Sequence, residues 1–412
     1  MKNKILFIGA FPPPFGGIAS HLNSVLPLLT DKGYKISVFS PGNVNSTKLI
    51  GNISIMYIKY TWIYISHMFS VIFNAIKYWH LKLDLNLLLF MKSIALAVFY
   101  SKHINEKKID QVFIYQISNT YFIPIINEML LKPTPIHIMI FGAFNLKPKY
   151  YINHQNYIYS IFNNSTTILS SSKHCAKSVK NILNFDFEVG VNFVGVENYM
   201  FEELINESFN FKTKFQIKKD SFVILYFARM TKIMGLQFLI DIHNEILQIN
   251  ENIIILIAGA EGDLSKKALD LSINNNRIKY YSNIPFSEKQ TIYDNCDLII
   301  APTLEKHACM GVTIKEAMAC RKPIIASDSG GIPEAIIDGE EGFIVPIKNN
   351  KIPKNIFVDK IRQLYDDPIL RKEMGEKGKK RALKLFTNKA SAETYVNIIE
   401  NNKNETSHSK SR

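Results

Sequence analysis

Residues 305–346 read EKHACMGVTIKEAMACRKPIIASDSGGIPEAIIDGEEGFIVP and decide the fold prediction. The pattern predicts a loop, a helix, an apolar strand, a Gly-rich turn into a second helix, and a final strand. The first helix would begin at Gly311–Thr313, and its N-terminus would offer unpaired N–H groups and partial positive charge to a phosphate. One turn later, the carboxylate of Glu316 can accept hydrogen bonds from the vicinal hydroxyls of a sugar. Phosphate and ribose are the two handles of a nucleotide, so the segment indicates a nucleotide site.

The same alternation of strands and helices extends over most of the chain. In the first half, apolar strand segments lie at 4–11, 34–42, 111–117, 136–144 and 166–172. In the second half, they lie at 221–230, 253–263, 277–284, 298–303, 322–328 and 342–346. This β/α pattern predicts an α/β chain with two parallel sheets covered by helices, that is, two Rossmann-like domains.

The composition is that of a folded chain with excess positive charge. A length of 412 residues is too great for one ordinary core, and the apolar share of 47% is normal for a folded protein. The net charge of +13 calls for an anionic partner, which nucleic acid, anionic lipid and phosphorylated substrates all satisfy. The sequence has no recognisable nucleic-acid reader module, so we expect no nucleic-acid partner.

The cysteines and the N-terminus bear on the cellular compartment. Cys175, Cys296, Cys309 and Cys320 form no C-x-x-C pair and have no zinc spacing. We therefore expect free thiols in a reducing cytoplasm. The N-terminal apolar run is too short for a signal peptide, which also favours a cytoplasmic protein.

Two further motifs lie where strands meet helices. The first strand runs into PPPFGG at 12–17, where Gly16 and Gly17 let the backbone approach a ligand and present amides at a helix start. A tight turn that binds nothing is the alternative. Arg229 follows the first strand of the second half, where a guanidinium can bind phosphate oxygens, although a surface salt bridge is equally compatible with this position. A GxGxxG fingerprint is absent at 9–17 and at Gly259, so the sequence gives little support to a nicotinamide or flavin site.

These motifs resemble the signature of the retaining glycosyltransferases of family 4, whose fold is GT-B. The resemblance lies in P-P-x-x-G-G at 12–17, in G-R-L-x-x-E-K-G at 228–235, and above all in 298–346. It implies two Rossmann-like domains with parallel sheets facing an interdomain cleft. The acceptor-binding domain would span 1–200 and the donor-binding domain 201–385. A C-terminal helix at about 386–401 would pack back onto the first domain, and we expect 402–412 to be disordered.

The resemblance also implies which residues bind the donor, a nucleotide-diphosphate sugar that acts as co-substrate, with no cofactor. These residues are Gly16, Gly17, Arg229, Lys232, Gly259, Gly311, Val312, Thr313 and Glu316. In this assignment, Glu316 binds the ribose and Arg229 clamps the diphosphate.

Several positions depart from the family pattern. Met234 replaces the usual Lys, and Lys232 is our candidate for the missing cation. Ala308 replaces the usual Glu beside the donor sugar, so either Glu305 or His307 takes that catalytic role, together with Arg229, or the role is absent.

Two more departures concern other parts of the signature. Phe141 stands where many members have His, and His137, four residues earlier in a strand, reads as a core residue. Arg321 replaces a Gly, which indicates an altered turn or a further phosphate contact.

The sequence carries no D-x-D triplet and no acidic cage, so we expect no metal ion. The resemblance implies metal-independent transfer with retention by a hexosyltransferase, in which the leaving phosphate helps to deprotonate the acceptor hydroxyl. The implied acceptor is a glycan or a lipid-linked glycan in surface polysaccharide biosynthesis. The lost Glu and Lys leave an alternative open, namely a catalytically weakened subunit that binds and stabilises a partner glycosyltransferase.

Segment 55–102 is rich in aromatic residues and lysines. Its uncharged run Tyr60–Ile76 has 17 residues, short of the roughly 20 that span a bilayer. One interpretation is a helical hairpin packed within the first domain. The other is a patch that rests on an anionic membrane surface, which would place the protein in the cytoplasm and peripherally at the inner face of the cell membrane.

Overall fold

The computed structural model describes residues 3–12, 17–42, 45–116, 120–141, 152–184, 187–203, 210–306 and 309–408. The chain divides into two compact units, one of residues 1–195 with 388–412 and one of residues 196–387. Gly16, His307 and Ala308 lie outside the described residues.

Strands and helices alternate along both units. The strands are β1 (Lys4–Ile8), β2 (Lys35–Pro41), β3 (Ser46–Ile50), β4 (Ile53–Ile58), β5 (Gln111–Tyr115), β6 (Ile136–Ile140), β7 (Thr167–Ser170), β8 (Gly190–Val191), β9 (Phe222–Phe227), β10 (Ile253–Gly259), β11 (Ile278–Ser282), β12 (Leu298–Ala301), β13 (Ile324–Ser327) and β14 (Gly342–Val345). The helices are α1 (Gly17–Asp31), α2 (Tyr60–Ser66), α3 (Met68–Lys77), α4 (Leu87–Lys107), α5 (Ile123–Met129), α6 (Gln155–Asn163), α7 (Lys173–Leu183), α8 (Phe211–Phe215), α9 (Leu236–Leu247), α10 (Ser265–Asn274), α11 (Lys289–Asp294), α12 (Val312–Ala319), α13 (Ile332–Ala335), α14 (Lys354–Asp366), α15 (Pro368–Leu385) and α16 (Asn388–His408).

The sheet of the first unit has the order β3-β4-β2-β1-β5-β6-β7-β8. Its central strand β1 is buried on both faces, since Leu6 and Ile8 join one apolar cluster and Ile5 and Phe7 join the other. This two-sided burial explains why the strand reads as a continuous apolar run. All described pairs are parallel except β3 with β4. That hairpin turns at Gly51, whose φ is 55°. The hairpin was not among the strands predicted from the sequence.

The last helix, α16, belongs to the first unit. The hydroxyl of Tyr395 lies 2.5 Å from that of Tyr115 on β5, and Gln111 donates a 2.9 Å hydrogen bond to the carbonyl of Ile399. The helix continues to His408, beyond residue 401. Residues 402–408 are therefore helical rather than disordered, because this stretch has no Gly or Pro to end the helix.

The sheet of the second unit is fully parallel, with the order β11-β10-β9-β12-β13-β14. Every residue of β10 is buried, as expected for a parallel strand covered by helices on both faces. The strand order is that of a doubly wound Rossmann sheet, so the predicted fold class is confirmed for each unit.

Cys296 and Cys320 are buried free thiols, as expected. Burial raises the pKa of the Cys296 thiol to about 12.

Among the described residues, one helix, α4, is long and apolar enough to cross a membrane. Half of its apolar window is buried within the protein. Phe90, Ile94 and Tyr100 lie in the core of the first unit, so the burial of α4 accounts for its apolar composition.

His137 lies on β6 in the interior, as predicted. Its Nε2 lies 3.0 Å from the amide oxygen of Gln111, and its ring stacks on Phe113 with centroids 4.4 Å apart. Burial lowers the pKa of His137 to about 3, so the ring is neutral in the folded protein at pH 7.

We expect His137 to make the first unit sensitive to acid. Below about pH 6.5 the unfolded chain binds a proton at this ring and the folded chain does not, so the free energy of unfolding falls by about 1.4 kcal/mol per pH unit from this group. The free energy of unfolding can be measured by urea titration at pH 7, 6 and 5, with the emission of Trp62 and Trp79 as the signal. The pH dependence should be shallower in His137→Phe, and an unchanged slope would contradict the assignment.

Candidate functional site

The candidate site lies at the carboxyl ends of the central strands of the second unit's sheet. β9 is flanked by β10 on one side and by β12 on the other, so the chain reverses its direction of winding at β9. In parallel sheets, ligands bind outside the carboxyl ends of the strands at such a switch point. The loops that follow β9 and β12, together with α12 after the second loop, contain six of the nine predicted donor-binding residues: Arg229, Lys232, Gly311, Val312, Thr313 and Glu316.

These two loops are joined by hydrogen bonds. The carbonyl of Ile233 accepts from the Leu304 amide at 2.8 Å and from the Thr303 hydroxyl at 3.1 Å. Gly235 has a φ of 87°, and a Cβ there would lie 1.9 Å from the carbonyl oxygen of Pro302. Glycine is therefore required where the loops meet.

Two cations stand on the loop after β9. Arg229 and Lys232 are exposed, and neither has an ion-pair partner among the residues that the structure describes. Tyr226 holds the loop in place, because its hydroxyl donates to the carbonyls of Arg229 at 3.1 Å and Met234 at 3.2 Å. Both charges are thus available to an anionic ligand.

Helix α12 begins beside this loop pair. Its N-cap, Gly311, has a φ of 70° and provides no side-chain hydrogen bond to the first turn. Gly311 and Val312 are exposed, and Thr313 is half-buried. The N-cap residue therefore leaves the first N–H groups of the helix without a side-chain cap of its own, a condition that a phosphate site requires.

The Gly-rich turn after β13 supports the approach to α12. A Cβ on Gly331 would lie 1.3 Å from the carbonyl oxygen of Cys309. The turn therefore packs directly against the backbone that leads into Gly311. This contact requires glycine at position 331, and the φ of 56° at Gly330 favours glycine there as well.

Glu316 is buried, with 5% of its surface exposed. Its carboxylate accepts hydrogen bonds from the ammonium of Lys289 and from the hydroxyl of Tyr293 at 3.0 Å. Burial, followed by the negative charge of Glu316, raises the pKa of Tyr293 well above its usual range, so the phenol remains a donor. A carboxylate has about four acceptor positions, and these two donors leave room for further hydrogen bonds.

Lys289 and Tyr293 were not singled out from the sequence. Both lie on α11, and their i, i+4 spacing places them on one face of the helix. That spacing was a readable signal, but nothing local to α11 shows that the face meets Glu316.

The other predicted residues have more ordinary surroundings. Gly259 has a φ of 133°, and a Cβ there would lie 2.1 Å from the carbonyl oxygen of Ala228, so packing within the unit already explains the glycine. Glu305 is half-buried, and its amide donates to Thr303 at 3.1 Å. Gly17, at the start of α1 in the first unit, is exposed with open space around its Cα.

Arg321 occupies an altered turn, which is one of the two interpretations that the sequence allowed, the other being a phosphate contact. Its φ is 57°, in the left-handed region that usually favours glycine. Its guanidinium lies 3.2 Å from the carboxylate of Glu376 and 3.9 Å from that of Glu203. These carboxylates account for its charge without a phosphate.

We expect Lys289 and Glu316 to be energetically coupled. Lys289→Met leaves a buried carboxylate with one donor fewer and should lower the stability of the second unit by about 2 kcal/mol. In Glu316→Gln the lysine should matter much less, so a double-mutant cycle by calorimetry should be strongly non-additive. Lys377→Met, which breaks the exposed pair with Glu340, is the control and should change little. Additive effects of the two substitutions would contradict the coupling.

Comparisons with known proteins relate this chain to glycosyltransferases. The model of the family described as Glycosyl transferases group 1 matches residues 207–381. The uncharacterized glycosyltransferase MJ1069 of Methanocaldococcus jannaschii is 27% identical over 414 residues, which cover 96% of this chain and 97% of the relative. The capsular polysaccharide biosynthesis glycosyltransferase CapM of Staphylococcus aureus is 26% identical over 211 residues, 50% of this chain and 51% of CapM.

A solved structure shows the same fold over the whole chain. The structure of Anabaena Alr3699/HepE in complex with UDP aligns with a TM-score of 0.69 and 15% identity, covering 97% of this chain and 100% of that chain. The fold is therefore GT-B, the second unit matches the group 1 glycosyltransferase model, and the chain is similar over nearly its whole length to a glycosyltransferase.

Proposed function

We propose that this glycosyltransferase moves a hexose from a nucleotide-diphosphate sugar to a glycan or lipid-linked acceptor, with retention, in surface polysaccharide biosynthesis. The observation that carries the proposal is the pair of exposed cations at the switch point of the second sheet, beside the uncapped start of α12. A diphosphate is the ligand that both features favour. HepE, a neighbour of the same fold, is complexed with UDP, which supports a nucleotide as the part of the donor that the protein binds.

In this proposal the donor binds across the two joined loops. Arg229, Lys232 and the N–H groups of Val312 and Thr313 contact the diphosphate. Glu316 accepts hydrogen bonds from the ribose through the positions that Lys289 and Tyr293 leave open. Lys289 has 24% of its side chain exposed, and we propose that the ribose approaches the carboxylate from that side.

The chemistry that we propose needs no metal ion, because the two cations and the helix N-terminus neutralise the leaving diphosphate. The bond from the sugar's anomeric carbon to the phosphate oxygen breaks, and the acceptor oxygen bonds to the same face of that carbon. The acceptor's proton passes to the leaving phosphate oxygen. We assign the contact beside the donor sugar to Glu305 or His307. The retaining mechanism is proposed from the resemblance to family 4.

For the acceptor we propose a chemical class rather than one compound. Similarity to CapM, whose name places it in capsular polysaccharide biosynthesis, supports a surface glycan. We propose that the protein meets this acceptor at the cytoplasmic face of the cell membrane.

Donor binding can be tested by thermal shift with a panel of UDP-, GDP-, ADP- and dTDP-sugars. At a hundredfold excess over Kd, the correct donor adds about 2.7 kcal/mol and should raise Tm by several degrees. Arg229→Ala and Glu316→Ala should abolish this increment, because each removes a proposed contact.

Arg362→Ala is the matched control, since Arg362 is also exposed and lies on α14 in the same unit. It should keep the full donor shift. If no nucleotide sugar in the panel raises the Tm of the unmutated protein, the proposed donor site is wrong.

Transfer itself is tested with the donor found in this way and a lipid-linked oligosaccharide acceptor. The product's anomeric configuration, read from its NMR coupling constant, should equal the donor's, and EDTA should leave the rate unchanged. Inversion would exclude the retaining mechanism, and a rate abolished by EDTA and restored by Mg²⁺ would exclude metal independence. Donor binding without any transfer would favour the alternative of a weakened subunit that stabilises a partner glycosyltransferase.

A further inference from the structure

Helix α3 is apolar on both of its sides. Val71 and Ala75 face the interior of the first unit. The opposite side carries Phe69, Ile72, Phe73 and Ile76, which are 83%, 52%, 73% and 78% exposed. Their spacing of i, i+3, i+4 and i+7 makes one continuous stripe. A solvent-facing helix side normally carries polar residues there, so this side calls for a partner.

The stripe belongs to a larger surface, which we call the apolar face. Of the 24 large hydrophobic side chains that are exposed among the described residues, eleven lie between residues 62 and 88. The apolar face consists of Trp62, Ile65, Met68, Phe69, Ile72, Phe73, Ile76, Trp79, Leu83, Leu87 and Leu88. Scattered single hydrophobic residues are ordinary on a protein surface, but a concentration of this kind marks an interaction site.

The segment that carries the apolar face is rich in lysine, although Glu128 of α5 lies 3.2 Å from His80 beside it. Lys59 and Lys77 are exposed, and Lys82 and Lys92 are partly exposed at its border. The single acidic residue between positions 59 and 92 is Asp84. Its carboxylate accepts from the amides of Asn156 and Tyr157 at 2.8 and 3.0 Å, at the start of α6. Because Asp84 caps a helix of the same unit, it does little to offset the lysines.

A shallow cavity opens beside α3 and widens the apolar face. It has a volume of about 330 Å³ and is lined by Tyr64, Met68, Val71, Ile72, Leu88, Met91, Lys92 and Ala95. Lys92 is the one charged residue of this lining, and its ammonium lies 5.7 Å from the ring centre of Tyr64. The cavity offers an apolar wall with a cation at its edge.

We propose that the apolar face docks onto an anionic lipid bilayer, with α3 lying in the plane of the interface. Phe69, Phe73 and Ile76 enter the boundary of the acyl chains, while the bordering lysines meet lipid phosphates. Trp62 and Trp79 lie at the same surface, where tryptophan is favoured in membranes. A second copy of this chain fits less well, because a symmetric contact would bring the same lysines together.

The two tryptophans make docking directly measurable, since they are the only ones in the chain. The full chain is floated with vesicles of phosphatidylcholine alone or with 30% phosphatidylglycerol, where 30% is roughly a common anionic content, and tryptophan emission is recorded. We expect flotation with the anionic vesicles and a blue shift of emission. Phe69→Gln/Phe73→Gln should lower vesicle binding by about ten- to a hundredfold, because two aromatic side chains no longer enter the lipid.

Matched controls separate this face from general stickiness and charge. Ile273→Gln/Ile369→Gln changes two isoleucines of the second unit that are 72% and 71% exposed, and it should float normally. Lys77→Glu/Lys82→Glu should lose binding, whereas Lys218→Glu/Lys266→Glu, two exposed lysines of the second unit, should not. The donor-induced Tm shift should persist in Phe69→Gln/Phe73→Gln, so this test is independent of the donor site.

Three results would overturn the proposal. One is no flotation of the unmutated protein with anionic vesicles. Another is equal flotation of the Phe69→Gln/Phe73→Gln variant and its control. The third is a dimer in solution that these two substitutions convert to a monomer, with no tryptophan shift on vesicle addition, which would assign the face to a second copy.

Discussion

The contact between the loops after β9 and β12 is the constraint on which the candidate site depends. Gly235 lies against the carbonyl of Pro302 with no room for a Cβ, and Ile233 binds Thr303 and Leu304 through one carbonyl oxygen. Two strands that are neighbours in the sheet but distant in sequence thereby present their loops as one surface. The loop that carries the two cations is thereby fixed against the beginning of the loop that leads into α12.

The second constraint is electrostatic. A carboxylate buried as deeply as that of Glu316 is costly unless it is paired and hydrogen-bonded. Lys289 supplies the opposite charge and Tyr293 a neutral donor, and both come from α11 rather than from the helix that carries Glu316. The two donors hold the carboxylate in one position, which suits the ribose-binding role that we propose for it.

Local pattern predicted much of this fold, because buried parallel strands read as continuous apolar runs and α12 begins at a glycine. The hairpin β3–β4 escaped prediction because its edge strand is exposed along its whole length and lacks an apolar run. The role of Lys289 escaped because it depends on a contact 27 residues away. At Gly259 and Arg321 the motif position indicated a ligand contact where the structure offers another explanation. Backbone packing explains the glycine. Two carboxylates account for the charge of the arginine.

The net charge of +13 was uninformative as a total and gains meaning from its placement. Within the segment 59–92, the one acidic side chain, Asp84, caps α6, and the lysines of that segment have no ion-pair partner among the described residues. In the second unit, by contrast, Lys289 and Lys377 are paired with carboxylates, while Arg229 and Lys232 have no ion-pair partner among the described residues. Unpaired lysines are common on a surface, so an unpaired cation indicates recognition only beside a second feature that favours the same ligand, such as a helix N-terminus or an apolar face. On this ground we propose two separate places for anions, one for a soluble diphosphate and one for a lipid surface.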